Sequence, residues 1–253
     1  MLTEKRREEI VKLVEERGSI TLQELLGMYH ASESTIRRDI TSLHESGKLT
    51  KVFGGAVANN EKVSHMELSV SQKEDVDREE KEMIAKHAAS LIEPDDFVYI
   101  DAGTSTGKMI EYIQETNATY VTNAVDHAKR LAHRGFQVIL IGGVLKGSTE
   151  AIVGTEAVNN ISKYHFSKGF WGTNGVHPSD GLTTPDVNEA LLKEAAISNT
   201  QPGFRFVLSA HQKFGKISSV TFAKLDQITV LTDRAPEENV WRKYDITVVS
   251  NHK

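Results

Sequence analysis

Short apolar runs alternate with amphipathic segments along most of this 253-residue chain, from Glu79 onward. The alternation is typical of a parallel-rich β-sheet covered by helices on both faces, because buried parallel strands are rich in β-branched and aromatic residues. It predicts strands at 97–100, 120–121, 138–141, 169–171, 204–208, 228–231 and 246–249, and helices at 79–92, 107–114, 126–133, 156–161 and 186–199. We therefore expect an α/β domain.

The first 57 residues have a different pattern, which predicts three helices followed by a hairpin. Apolar residues at helical spacing predict a first helix over 3–18. Thr21 and Glu24 form the capping-box signature of a second helix, and Ser32 is a suitable N-cap for a third. Alternating side chains at 48–57 then predict a short hairpin.

The third predicted helix has one apolar and one polar face. Ile36, Ile40 and Leu43 mark the buried face. The other face carries hydroxyls and guanidiniums, which suit phosphates and base edges in a major groove, where the last helix of a helix-turn-helix lies. The DNA-contact candidates are Ser34, Thr35, Arg37, Arg38 and Thr41 on the helix, and Lys48, Lys51, Gly54 and Gly55 on the hairpin, whose flexible tip is the glycine pair. A small helical domain with an incidental arginine pair is the alternative.

Net charge does not decide between these alternatives, because residues 1–57 contain equal numbers of acidic and basic side chains. The basic residues are clustered, however, at Lys5-Arg6-Arg7, at Arg37-Arg38 and at Lys48 with Lys51. Such clusters predict a modest phosphate footprint, with an affinity for DNA that falls as salt rises.

Length and pattern together divide the chain into about two domains. The segment 58–78 is polar and has no sustained periodicity, so it is the predicted linker between a winged helix-turn-helix domain at 1–57 and the α/β domain at 79–253.

Composition excludes several classes of protein. The chain is 39% hydrophobic with a net charge of -5, and it has no cysteine, so disulfides and thiolate metal sites are excluded. It has no run of about 18 apolar residues, and Met1 leads directly into a charged helix, so we expect a cytoplasmic protein with no membrane contact. The histidines lack metal-ligand spacing, and we expect neither a metal nor a cofactor.

Ligands of a parallel α/β sheet gather at the carboxyl ends of the strands. The loop after the first predicted strand, Asp101 to Gly107, offers glycine, hydroxyls and the free N–H groups of the following helix, which attract an anion. The loop matches neither the Walker nor the dinucleotide-binding pattern. A turn that merely caps a helix is the alternative. The anion-site candidates here are Asp101, Gly103, Thr104, Ser105 and Thr106.

Later loops place further small and polar residues at successive strand ends. Asp186, Glu189 and Lys193 share one face of a predicted helix, because they are separated by three and four residues. These groups would form a polar crevice, or else a salt-linked helix surface beside ordinary turns. The candidates are Asn123, Gly142, Gly143, Asn174, Thr184, Glu189 and Lys193.

Nearly the whole chain resembles the DeoR family of transcriptional regulators. The family's T-I-R-R-D-L core is similar to Thr35-Ile36-Arg37-Arg38-Asp39-Ile40, and its H-G-G-A wing to Phe53-Gly54-Gly55-Ala56. Further motifs match at 101–104, 121–123, 141–143, 181–184 and 213–215. The resemblance implies a winged helix-turn-helix and a sensor domain similar in fold to ribose-5-phosphate isomerase.

The resemblance also implies roles for the crevice. A phosphorylated sugar would place its phosphate on residues 103–106, and Lys213 would be a second phosphate partner. The hydroxyls of the sugar would contact Asn123, Asn174, Glu189 and Lys193. The expected function is a repressor, or less often an activator, of sugar-metabolism genes that binds operator DNA as a homo-oligomer.

This chain departs from the family pattern at two positions. Phe53 replaces the usual histidine of the wing, and Ala210 stands where an aspartate usually precedes Lys213 by three residues. Either the effector chemistry differs or the pocket is impaired. His211 is then a partial substitute or a surface-loop histidine.

A sugar-phosphate isomerase on the same fold is the competing function. The isomerases place an acidic pair where this chain has Thr173-Asn174-Gly175, and a neutral amide cannot act as the base. Glu189 and Lys193 remain near catalytic positions. We expect a regulator without enzymatic activity.

Overall fold

The computed structural model describes residues 3–17, 19–29, 31–52, 54–58 and 76–249. These residues form two compact units, one from the residues up to 58 together with Val76, and the other from residue 77 onward. Most of the predicted linker, 58–78, lies outside the described residues, as does Phe53. Within the described ranges, no helix combines the length and the apolar character needed to cross a bilayer.

The amino-terminal unit is a winged helix-turn-helix, as predicted. Its elements are α1 (Thr3–Arg17), β1 (Ser19–Thr21), α2 (Leu22–Met28), α3 (Glu33–Glu45), β2 (Leu49–Val52) and β3 (Gly55–Ala58). The predicted caps are confirmed, because Thr21 and Glu24 form a full capping box and the Ser32 hydroxyl accepts the Thr35 N–H. The strands form an antiparallel sheet in the order β1-β3-β2.

Gly55 is not part of the hairpin tip, and that prediction is wrong. It is a buried residue of β3, paired with Thr21 of β1 and Val52 of β2. A Cβ atom at this position would lie 2.1 Å from the Ile20 carbonyl oxygen, so only glycine lets the two strands approach this closely. Gly54, with φ +79°, supplies the turn.

The second unit is built on seven parallel strands in the order β15-β14-β12-β9-β4-β5-β6. These strands are β4 (Phe97–Ile100), β5 (Thr119–Thr122), β6 (Gln137–Leu140), β9 (Lys168–Gly172), β12 (Arg205–Leu208), β14 (Thr229–Thr232) and β15 (Ile246–Val248). The predicted α/β class is confirmed, and every predicted strand overlaps one of these.

Helices cover both faces of this sheet. They are α4 (Arg78–Ser90), α5 (Thr104–Tyr112), α6 (Val125–His133), α7 (Thr155–Ile161) and α8 (Val187–Ser198). Neighbouring strand residues face opposite sides. Val98 and Ile100 pack in one core with α4, α5 and α6, and Tyr99 packs in another with α7 and α8. Two buried faces explain why the strands are apolar throughout.

Short antiparallel elements, which the sequence analysis did not predict, surround the main sheet. β7 (Val144–Lys146) pairs with β8 (Ala151–Val153), and β10 (Gly175–His177), β11 (Gly181–Thr184) and β13 (Val220–Ala223) form a third sheet. Short 3-10 helices span His211–Lys213, Leu225–Gln227 and Asn239–Lys243. Several of these elements carry side chains that reach the carboxyl edge of the main sheet.

Candidate functional sites

The arginine pair of α3 lies on the surface of the amino-terminal unit. Arg37 pairs with Glu33 one turn earlier at 2.7 Å, and both side chains are 56% exposed. Arg38 is also exposed. A solvent-exposed pair of this kind contributes little stability, so Arg37 can exchange its partner for a phosphate or a base at low cost. Burial of these side chains would have excluded a DNA contact, and they are not buried.

The neighbouring hydroxyls join this surface to the wing. Thr41 donates to the Arg37 carbonyl at 2.8 Å and accepts from Lys51 Nζ of β2 at 3.0 Å. Ser34 and Thr35 lie 2.9 and 2.8 Å from the Ser32 hydroxyl at the start of α3. The side chains of α3 that were predicted to contact DNA are thus exposed or partly exposed, and Lys51 of β2 lies beside Thr41. Their contacts with DNA stay a prediction.

The basic cluster at Lys5-Arg6-Arg7 is not a free phosphate footprint. Arg6 Nε and Arg7 Nε lie 2.6 and 2.8 Å from the two carboxylate oxygens of Asp39. Arg6 and Asp39 are buried, and the Arg7 side chain is about one-third exposed. Asp39 therefore holds α3 on α1 through a buried ion-pair cluster, a role that the sequence analysis missed.

At the carboxyl edge of the main sheet, Asp101 and Lys193 form a buried ion pair. The Asp101 carboxylate also accepts the Gly172 N–H at 3.2 Å, and Lys193 Nζ lies 3.2 Å from the Gly172 carbonyl oxygen. These contacts join the ends of β4 and β9 to α8. Burial raises the pKa of Asp101, although Lys193 favours its charged form.

Two predicted effector residues shape the loop after β4. Asn123 Oδ1 accepts the Ala102 N–H at 2.8 Å and the Tyr99 hydroxyl at 3.1 Å, while its Nδ2 donates to the Ile152 carbonyl. The buried Thr106 hydroxyl donates to the Asp101 and Gly103 carbonyls. Because these groups are satisfied within the protein, we expect them to hold the loop in place and not to contact a ligand.

The helix after this loop begins three residues earlier than predicted, at Thr104. Ser105 and Thr106 are therefore buried residues of the first turn of α5, and Thr104 is half-buried. The N-cap is Gly103, so no side chain caps this end of the helix. The first-turn N–H groups have no acceptor within the helix, and the partial positive charge there favours an anion.

His127 of α6 lies behind this helix end. Its Nε2 would be 2.9 Å from a Cβ atom on Gly107 of α5, and its Nδ1 is buried without a hydrogen-bond partner among the described residues. Burial, with a smaller contribution from Arg130, lowers the pKa of His127 to about 4. A neutral imidazole thus packs against the first turn of α5.

Glu189 is the centre of a second polar group. Its Oε1 accepts Lys146 Nζ at 3.2 Å and the Thr149 hydroxyl at 2.9 Å, both from the β7–β8 hairpin. Burial alone would raise the pKa of Glu189, but Lys193 and Lys146 hold it below its usual value. Lys146 and Thr149 were not predicted, because their pairing with α8 spans about forty residues of sequence.

Thr184, Asn174 and Lys213 lie at the same edge of the sheet. The Thr184 hydroxyl lies 3.4 Å from both Asn174 Oδ1 and Glu189 Oε2. Lys213 Nζ donates to the Thr173 carbonyl at 2.5 Å. Several predicted effector residues therefore lie at one edge of the sheet in separate hydrogen-bonded groups, and their contacts with a ligand stay a prediction.

The glycines after β6 do not share these contacts. Gly142 and Gly143 are exposed and follow the outermost strand of the sheet, two positions from β4. A Cβ atom on Gly143 would lie 2.8 Å from Ile152 and 2.9 Å from Ala157. Close packing explains Gly143 without a ligand.

An open cavity of about 520 Å³ lies at the opposite, amino-terminal edge of the sheet. Its lining includes Ser167 before β9, Arg205 at the start of β12 and Thr200 between them. Arg205 donates to the Thr200 carbonyl and is held by this loop. None of the predicted effector residues lines this cavity.

In the winged domain, α3 occupies the position of a recognition helix, and an α/β domain with polar side chains at the carboxyl edge of its sheet follows it. This arrangement is typical of a DNA-binding regulator. Residues 6–62 match the model of the DeoR-like helix-turn-helix domain, and residues 76–234 match that of the DeoR C-terminal sensor domain. This protein therefore belongs to the DeoR family and is a transcriptional regulator.

Curated relatives match along nearly their whole length. The chain is 40% identical over 250 residues to the uncharacterized HTH-type transcriptional regulator FruR of Bacillus subtilis, covering 98% of both proteins. It is 36% identical over 233 residues to the lactose phosphotransferase system repressor of Staphylococcus epidermidis, covering 90% of this chain and 91% of that protein. A solved ribose 5-phosphate isomerase A from Methanocaldococcus jannaschii aligns with 55% of each chain at a TM-score of 0.39 and 11% identity.

Proposed function

We propose that this protein is a repressor of sugar-metabolism genes, and that a phosphorylated sugar bound at the carboxyl edge of the main sheet controls its affinity for operator DNA. The observation that carries the proposal is the uncapped amino terminus of α5 beside the Asp101–Lys193 pair. Helix N–H groups favour a phosphate, and Lys213 would add a cation. Asn174 and Glu189 supply the acceptors that sugar hydroxyls need.

We infer that this site binds its ligand without turnover. Aldose–ketose isomerisation needs a base beside the carbonyl carbon, and Asn174 is a neutral amide. Lys193 is already paired with Asp101, and Glu189 accepts two hydrogen bonds from the β7–β8 hairpin. Release of an isomerised sugar phosphate by the purified protein would contradict this inference.

The packing of α4 on α5 supports a route from the effector to the linker. Tyr112 of α5 donates to the Glu82 carboxylate of α4 at 2.6 Å, and Lys86 of α4 lies over the Tyr112 ring. α4 directly follows the predicted linker. A shift of α5 on anion binding would therefore move α4, and through α4 the end of the linker. Such a shift changes DNA affinity only if the two conformations bind the effector unequally.

The DNA-binding half of the proposal is tested by the double variant R37A/R38A. We expect each arginine that contacts a base bidentately to contribute about 1–3 kcal/mol, and each that contacts a phosphate to lower the salt dependence of binding. A mobility-shift titration with DNA from around the protein's own gene, repeated at several salt concentrations, measures both. E33Q is the matched control, since it removes the Arg37 ion pair but keeps both arginines. Unchanged DNA binding in R37A/R38A would overturn the assignment.

The effector half is tested by calorimetry with aldohexose, ketohexose and pentose monophosphates. We expect one of them to bind and to change the operator affinity in the mobility shift. K213M should lose most of that binding, whereas K224M, which removes an exposed lysine of the same domain, should not. Equal binding by K213M and the parent would remove Lys213 from the site.

We further propose a symmetric homo-oligomer. One winged helix contacts only a short stretch of DNA, and a second copy of the chain doubles the length of DNA that is contacted. Sedimentation analysis with and without operator DNA measures the assembly state, and a monomer bound to a single site would contradict this expectation.

A further inference from the structure

His211 and Asp233 form a closely bonded pair at the carboxyl edge of the main sheet. Asp233 follows β14, and His211 begins the 3-10 helix that follows the adjacent strand, β12. The His211 backbone N–H donates to Asp233 Oδ1 at 2.8 Å, and the ring Nδ1 lies 2.6 Å from Oδ2. The Asp233 side chain is 5% exposed and that of His211 is 26% exposed. Both the ring and its loop are therefore held by one buried carboxylate.

This pairing fixes which ring nitrogen carries the proton. A carboxylate can only accept a hydrogen bond, so Nδ1 of His211 must be the donor to Asp233. In the neutral imidazole the other nitrogen, Nε2, is then an acceptor, on the ring edge away from Asp233. A histidine in an unconstrained surface loop would keep neither a fixed tautomer nor a fixed orientation.

The pair belongs to the same edge as the proposed effector site. Lys213, two residues after His211 in the same 3-10 helix, donates to the carbonyl of Thr173, which follows β9. Ala210, which directly precedes His211, is buried and carries no carboxylate. His211 is the first residue of the 3-10 helix, and its partly exposed ring is a polar group that could contact a ligand at this edge.

We propose that His211 Nε2, oriented by Asp233, accepts a hydrogen bond from a hydroxyl of the sugar bound at this edge, and so determines which sugar phosphate binds. The inference rests on the proposed function. The partner must be a donor, because a fully ionised phosphate has no proton to give to Nε2. His211 would contact the sugar directly, and Asp233 would be a positioning residue.

Two amide substitutions separate the two ring nitrogens. Asn at 211 places its amide near the position of Nδ1, so H211N keeps the bond to Asp233 but has nothing in place of Nε2. Gln reaches the position of Nε2, so H211Q loses the bond to Asp233 but keeps an outward acceptor. We expect H211N to bind the sugar phosphate about tenfold more weakly and H211Q to keep more of the affinity.

D233N moves the proton of the His211 ring from Nδ1 to Nε2 and keeps a side chain of similar size at position 233. The Asn carbonyl can still accept from the His211 N–H, and its NH₂ then donates to Nδ1, so the proton moves to Nε2. We expect D233N to bind the sugar phosphate about tenfold more weakly, because Nε2 has become a donor. Inorganic phosphate, the control ligand, should bind the parent, H211N and D233N alike.

Calorimetry on the full-length protein, with thermal unfolding to establish that each variant is folded, gives distinguishable outcomes. If the parent binds no member of the sugar-monophosphate panel, the proposed function fails and this inference with it. If the parent binds one and H211N binds it equally well, only the role of His211 is overturned. Unchanged or tighter binding by D233N overturns the acceptor assignment, and equal losses in H211N and H211Q overturn direct contact.

Discussion

Asp39 lies in the middle of the recognition helix but makes its main contacts with α1. Its carboxylate binds Arg6 and Arg7, which precede it by more than thirty residues. The motif that contains Arg37, Arg38 and Asp39 thus has two functions. The arginines face outward, and the aspartate faces inward and sets the angle at which α3 presents them.

We predict that D39A destabilises the amino-terminal unit by about 3–5 kcal/mol, because it leaves the buried Arg6 guanidinium without its carboxylate. Chemical denaturation followed by circular dichroism measures the loss. E33Q breaks the exposed Arg37–Glu33 pair in the same helix and should change stability by less than about 0.5 kcal/mol. Equal effects of the two substitutions would mean that burial adds nothing to the Asp39 cluster.

His127 predicts a pH dependence of stability. Its pKa is about 4 in the folded protein, below the ordinary value of 6.5, because burial disfavours the charged ring. Between these pH values the unfolded chain binds more protons than the folded one. The contribution of His127 to the free energy of unfolding is therefore fully present above pH 6.5 and is lost as the pH falls toward 4. The shift corresponds to about 3 kcal/mol.

H127Q should lack the part of the stability loss at acidic pH that comes from protonation of His127. Denaturation at several pH values between neutral and 4 compares its slope with that of the parent. H133Q removes an exposed histidine at the end of the same helix, α6, and should keep the parent's slope. A parent and H127Q with identical slopes would show that His127 does not stay neutral in the fold.

Among the elements, the wing sheet depends on a close approach of β1 and β3. Both strands are short, and Gly55 allows the contact with the Ile20 carbonyl. We predict that G55A costs about 1–3 kcal/mol, because the added Cβ meets rigid backbone. Denaturation of the full-length protein measures this cost.

G27A is the control for this substitution. Gly27 lies within α2 and has open space around its Cα, so alanine there should stabilise the helix by about 0.5–1 kcal/mol. Opposite signs for the two variants are expected. A G55A protein as stable as the parent would mean that the strands can separate at no cost.

The strands that the sequence predicted and those that it missed differ in a physical way. Buried parallel strands such as β4 and β14 are apolar on both faces, so their composition identifies them locally. β1, β7 and β10 have only three residues each, and their pairing depends on partners elsewhere in the chain. The start of α5 was misplaced because Gly103 provides no side-chain cap.

For the whole molecule, regulation requires that occupancy of the crevice changes the affinity for DNA. We predict that Y112F, which removes the hydrogen bond between α5 and Glu82 of α4, weakens this coupling by about 0.5–2 kcal/mol. The affinity for the sugar phosphate itself should change little. The ratio of operator affinities with and without the effector is the measurement.

Y164F is the control, since Tyr164 is half-buried on the other face of the sheet. It should leave the ratio unchanged. If Y112F also leaves the ratio unchanged while the parent responds to the effector, the signal does not pass through the α5–α4 contact.

Periodicity, capping and turn chemistry are local properties, and from them the sequence predicted the two domains, the α/β class, the outward-facing arginines and the strand-end loops. Which charges meet depends on how the chain folds. Asp101 pairs with Lys193, Arg6 with Asp39 and His211 with Asp233 across 92, 33 and 22 residues. Such pairs form where separate strands and helices converge, and no pattern within one segment can specify them.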